Sequence, residues 1–234
     1  MSLPVREAPT YTVDLPLTKE EVKFRPFLVK EQKNMMIAGQ GDDETSTFDA
    51  IVDMVKSVCE NKIDIDKIPL ADLEYLFLQI RSKSVGEKSK MEIGCVEKDC
   101  GTAIPIEIDL AEASVDVNDL PDREIKLNDE MLVEVKFPTA KLATKLQNMD
   151  NEEASRKMLR DCMVRLHDKE KTYEFFEYRD AEIDEFIDNL TISEFDKLSK
   201  FFLELPQIEL VTEYKCPSCG VEDKIVTRGL QSFF

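Results

Sequence analysis

The spacing of apolar residues changes several times along this 234-residue chain, and each change marks an element. Alternation comes first. Tyr11-Thr-Val-Asp-Leu15 alternates, residues 16–21 supply a turn, and Val22-Lys-Phe-Arg25 alternates again before Pro26, so residues 1–27 predict an irregular start and an extended pair. A stretch rich in Lys, Glu, Gln and Met predicts a helix over 28–38, stopped by Gly39 and followed by an exposed, charged loop over 39–44. Spacings of three and four then put Phe48, Ile51, Val52, Val55 and Cys59 on one face of a helix beginning at Thr45 or Ser46. A third helix follows Pro69, with Leu70, Leu73, Phe77 and Ile80 on its apolar face, and ends before Gly86.

Strand-like sequence returns at 91–94, 103–108, 210–215 and 224–227, and again at 124–127 and 132–137, where Asn128-Asp129 reads as a hairpin turn. A short amphipathic helix is expected over 139–147. A long one is expected over 151–167, with Ala154, Met158, Cys162 and Leu166 at spacings of four and His167 at its end. Residues 173–178 mix aromatics with acid. Two helices fit the stretch after them, one carrying Ile183, Phe186, Ile187 and Leu190, the other capped by Thr191 or Ser193 and carrying Phe195, Leu198, Phe202 and Leu205. The last residues, Phe233 and Phe234, read as exposed aromatics. The pattern as a whole predicts an α+β fold, a mainly helical body with a small antiparallel β portion. Its segments are an N-terminal extended pair and helices (1–90), a ribbon element (91–110 with 207–228), and an inserted hairpin and helical segment (111–206).

Composition narrows the classes of partner. With 31 Lys plus Arg against 49 Asp plus Glu, the net charge of −18 disfavours nucleic acid and anionic membranes as partners, and no apolar run approaches the roughly 20 residues of a membrane span. A single histidine excludes a His-pair metal site, and no glycine-rich phosphate loop is present. Carboxylates are too numerous for any pair to stand out as an acid/base couple.

The candidate chemistry lies in cysteine. Cys95-Val-Glu-Lys-Asp-Cys100 and Cys216-Pro-Ser-Cys219 have four and two intervening residues, both within the range of metal-binding pairs, each is followed by glycine, and each sits between strand-like runs. Cys95, Cys100, Cys216 and Cys219 are therefore expected to form a tetrahedral structural site for Zn2+, with iron the alternative, in a zinc-ribbon-like element. Closing the 115-residue excursion between the pairs costs on the order of 4 kcal/mol, whereas a structural zinc supplies about 10–16 kcal/mol. Two competing readings are disulfides, which the absence of a secretory signal disfavours, and a dithiol redox centre at Cys216 and Cys219, which expects a helix after the first cysteine. Cys59 and Cys162 fall on apolar helix stripes and read as core.

One resemblance adds to this. Leu3-Pro-Val, Tyr11-Thr-Val-Asp-Leu-Pro16, Val22-Lys-Phe-Arg-Pro-Phe-Leu-Val-Lys-Glu31, Asp72-Leu-Glu-Tyr-Leu-Phe77 and Gln79-Ile-Arg-Ser-Lys-Ser-Val-Gly86 resemble the baseplate hub subunit family of T4-like bacteriophages, most densely over the first hundred residues. The resemblance implies a non-enzymatic protein that helps build the central hub of a contractile tail. It implies contacts with other hub or tail proteins, no catalytic residues, and a location in the host cytoplasm during assembly or in the virion baseplate. It leaves oligomeric state open. A nucleic-acid-binding zinc ribbon is the alternative from another class; it needs clustered cations, and the knuckles offer only scattered ones, Lys98, Lys215, Lys224 and Arg228.

Overall fold

A computed structural model describes residues 8–38, 44–61, 63–97, 99–146 and 149–229, the side chains of 44–47 excepted. In chain order the elements are β1 (Tyr11–Asp14), β2 (Glu21–Phe24), α1 (Val29–Ala38), α2 (Glu44–Val58), α3 (Leu70–Val85), β3 (Lys88–Gly94), β4 (Ala103–Asp109), β5 (Ser114–Val115), β6 (Glu124–Lys126), β7 (Leu132–Val135), α4 (Ala140–Leu146), α5 (Asn151–Cys162), β8 (Met163–His167), β9 (Thr172–Glu174), α6 (Asp180–Asp188), α7 (Ile192–Leu203), β10 (Ile208–Lys215) and β11 (Glu222–Arg228). Two 3₁₀ turns, Leu110–Glu112 and Phe175–Glu177, complete the set. The fold is α+β: seven helices and four separate antiparallel sheets among the described residues. The expected exposed loop after Gly39 and the terminal aromatics fall outside those residues.

Two compact units divide the chain. The first takes residues 1–63, 71–116 and 207–234; the second takes 64–70 and 117–206. In the first unit α3 is its most deeply buried helix: Leu73, Leu76, Phe77, Leu78 and Ile80 are all at most 1% exposed. A helix apolar on more than one face belongs in an interior. Asp72, in its first turn, is also fully buried, and its two carboxylate oxygens accept the Leu17 and Thr18 amides at 2.8 and 2.9 Å. A buried charge needs such partners, and these fix the turn between β1 and β2, which pair in the register Tyr11↔Phe24 to Asp14↔Glu21. The stripe of α2 is buried as expected, but that helix stops at Val58. Cys59 lies just beyond it, half-buried and bridged to Phe24.

The second unit is built on a four-stranded sheet in the order β6-β7-β8-β9. Its core gathers Leu127, Val133, Val135, Leu159, Met163, Phe175, Ile183, Ile187, Leu198 and Phe201. Here the long helix expected over 151–167 is corrected, because it ends at Cys162 and residues Met163–His167 form β8, with Val133↔Leu166 and Glu134↔Arg165 paired to β7. A spacing of four residues satisfies a helix stripe and, being twice two, also one face of a strand. Cys162 and Leu166 therefore carried no information on which would form.

Candidate metal centre

Two hairpins of the first unit carry the four cysteines, and they are built alike. β3 and β4 pair up to Gly94↔Ala103, and β10 and β11 pair up to Lys215↔Glu222. Beyond these last pairs each ladder gains one more bond, from the Cys95 amide to the Thr102 carbonyl at 3.0 Å and from the Cys216 amide to the Val221 carbonyl at 2.8 Å. In both, the acceptor lies two residues after the second cysteine. The residue between is a glycine, Gly101 at φ 59° and Gly220 at φ 76°, the left-handed region where an L side chain is strained.

The tips bring the sulfurs together. Sγ of Cys95 lies 3.6 Å from Sγ of Cys219, and Sγ of Cys100 lies 3.7 Å from Sγ of Cys216, with all four within 4.8 Å of one another. A disulfide needs about 2.05 Å, so these are thiols, as are Cys59 and Cys162. Tetrahedral ligation at about 2.3 Å per sulfur sets S···S edges of about 3.8 Å. The arrangement has the size of a tetrahedral ion site, and four sulfurs as donors suit a soft or borderline cation such as zinc or iron.

Backbone amides point the same way. Each sulfur faces the amide two residues ahead: Glu97 for Cys95, Thr102 for Cys100, Ser218 for Cys216 and Val221 for Cys219. N–H groups aimed at sulfur favour thiolate. The Cys100 thiol is drawn down to about 6 by the Thr102 hydroxyl, 3.2 Å away, and by the Thr102 amide. Cys216 is lowered too, by the Cys219 and Ser218 amides. At Cys95 the Glu97 amide pulls down, but burial and the three other sulfurs win and push it up to about 12. Four charges this close do not coexist without a cation between them. Cys216 is buried and Cys219 exposed, and an open cleft of about 650 Å³ beside Cys100 and Cys219 is lined by Glu97, Asp99, Ser218, Gly220 and Val221.

All four candidate ligands thus converge, and Cys59 and Cys162 stand apart with thiols pushed up to about 12 by burial. The hairpins nevertheless belong to two sheets, β3-β4 and β11-β10-β5, rather than to one shared ribbon sheet. The segment 216–219 is a turn between strands, without the helix a redox dithiol uses. Lys215, Lys224 and Arg228 are each matched across the hairpin, by Glu222, Glu213 and Glu209, which leaves little free cation there for phosphate; Lys98 lies outside the described residues. One feature had no sequence signal. His167, expected at a helix end, lies on β8 between Thr172 Oγ1 at 2.9 Å and Glu134 Oε1 at 2.6 Å. His167 and Thr172 are direct cross-strand partners, and a row of this kind is ordinary sheet pairing.

A family model described as T4 bacteriophage base plate protein matches residues 8–234. A "Baseplate hub assembly protein gp26" of Enterobacteria phage T4 is 24% identical over 225 residues, spanning 96% of this chain and 97% of the relative. No solved structure matches the chain.

Proposed function

The chain belongs to the T4 bacteriophage base plate protein family, and from that premise we propose that it is a non-enzymatic assembly or structural component of the hub of a contractile phage tail. The observation that carries this reading is end-to-end similarity to a hub assembly protein, over 96% of one chain and 97% of the other. The protein acts by presenting surfaces to other hub or tail proteins, in the host cytoplasm during assembly or in the virion baseplate. It acts on neither nucleic acid nor membrane, a reading supported by its charge of −18 and the matched hairpin cations. No helix among the described residues is long and apolar enough to cross a membrane.

Cys95, Cys100, Cys216 and Cys219 hold one structural metal ion, zinc first and iron second, which pins the two hairpins into a ribbon-like element. When bound, the ion supplies charge compensation and cross-linking, with no reaction routed through it. Two measurements test these readings. Tagged protein from infected cells is expected to co-purify with hub proteins, and its absence from every hub complex would refute the role. Metal analysis is expected to give about one ion per chain, lost in Cys216→Ser; a metal-free preparation that melts like the parent refutes the metal without touching the hub assignment.

A further inference from the structure

Helix α7 has more apolar surface than its core covers. At about 100° per residue, Leu198, Phe201 and Phe202 occupy one side of the helix, and Ile192, Phe195 and Leu203 continue the arc past it. Leu198 and Phe201 are 0% and 3% exposed, whereas Ile192 and Leu203 are 82% and 83% exposed and Phe195 is 38% exposed. Leu203 lies eleven positions after Ile192, which sets a stripe about 16 Å long, enough for three contacts from one facing helix at i, i+4 and i+7. Just upstream, Phe176 is 82% exposed as well.

The charge around this stripe is mainly negative. Residues 172–204 hold ten carboxylates against Arg179, Lys197 and Lys200; Lys200 is paired with Glu204, and Lys197 donates to the Leu127 carbonyl at 2.6 Å. Several other carboxylates are already matched, Asp184 by Arg160, Asp188 by Arg156 and Glu182 by Arg179, but Glu177, Glu185 and Asp196 make no ion pair among the described residues. An anionic lipid surface, a nucleic acid or an acidic protein is repelled here. A second copy, itself at −18, carries the same penalty. We infer that the outer face of α7, formed by Ile192, Phe195 and Leu203 with Asp196 among them, docks a basic amphipathic helix of a partner protein. The inference rests on the hub role proposed above and adds to it the surface and the partner's chemistry.

The test uses the full chain and a synthetic helical peptide with leucines on one face and lysines on the others, titrated by fluorescence anisotropy. Binding is expected to weaken with salt and to fall at least roughly tenfold, or 1.4 kcal/mol, in the double variant Ile192→Ser with Leu203→Ser. A control at an exposed apolar residue elsewhere, Val211→Ser, is expected to bind as the parent does. Both serine positions are almost fully exposed, so an unchanged melting curve is expected. The charge reversal Asp196→Lys gives an independent loss of binding with the stripe intact. The inference is overturned if the serine double variant binds as the parent does, or if a peptide with glutamate in place of lysine binds equally well. Concentration-dependent self-association that disappears in the double variant would also overturn it, by assigning the face to a second copy. Hub co-purification that persists without peptide binding sinks the surface alone; loss of co-purification in the parent sinks the hub role.

Discussion

Glu31 is the one buried residue of α1, an inversion of the usual helix pattern that its partners explain. Its Oε2 accepts the Leu28 amide at 2.7 Å, and its Oε1 receives Arg25 at 3.0 Å with Lys30 at 3.4 Å. Burial alone would raise its pKa, but Arg25, the Leu28 amide and Lys30 outweigh it and hold the carboxyl below its ordinary value. The folded state therefore binds this proton less readily than the unfolded chain. Its stabilisation is complete above the ordinary glutamate range and is lost as pH falls through that range toward the depressed value. Urea melts at pH 7 and pH 4 are expected to show a smaller acid loss in Glu31→Gln than in the parent, while Glu31→Ala costs about 1.5–3 kcal/mol at pH 7. Equal acid loss in parent and Glu31→Gln would remove Glu31 as the cause. Among single residues, the convergence of the four cysteines was legible because their spacing is written into the chain. The Thr102 hydroxyl and the amides facing sulfur were not, since a backbone group has no letter of its own.

At the scale of elements, caps and turns read well and pairings read poorly. Thr191 was legible as a cap, and its Oγ1 accepts the Glu194 amide at 3.3 Å while Glu194 Oε2 accepts the Thr191 amide at 2.9 Å. Thr191→Ala is expected to cost about 1 kcal/mol, measured by denaturant melting of the whole chain; no change would mean that packing of Leu198 and Phe201 alone holds α7. The first hairpin, β3-β4 and β10-β11 likewise followed from alternation and turn residues. β8 and β9 did not, because their residues satisfied a helix spacing or an aromatic cluster equally well, and only β7, distant in sequence, decides the matter through Val133 and Leu166. Tertiary pairing overrides local preference in that way. That the two cysteine hairpins fall in separate sheets, rather than in the one ribbon expected, was likewise not readable, since which strands adjoin is a property of the assembled unit.

For the whole molecule, composition reported charge and class, and similarity to phage baseplate proteins supplied the role that no motif encodes. The proposed ion ties together only parts of the first unit, since residues 95–100 and 216–219 both belong to it. Adding a strong chelator is therefore expected to speed amide exchange in β3, β4, β10 and β11 and to leave β6 to β9 as protected as before, as read by hydrogen-exchange mass spectrometry. Uniform loss of protection would mean that the ion supports both units. The order of the chain adds one more consequence. The second cysteine pair is synthesised 115 residues after the first, a lag of roughly 6 to 23 s at ordinary translation speed. Throughout that interval the nascent polypeptide holds only two of the four candidate ligands, and by its end almost all of the second unit, contiguous from residue 117 to 206, has left the ribosome's catalytic centre. The inserted segment is complete in sequence before the last two candidate ligands exist.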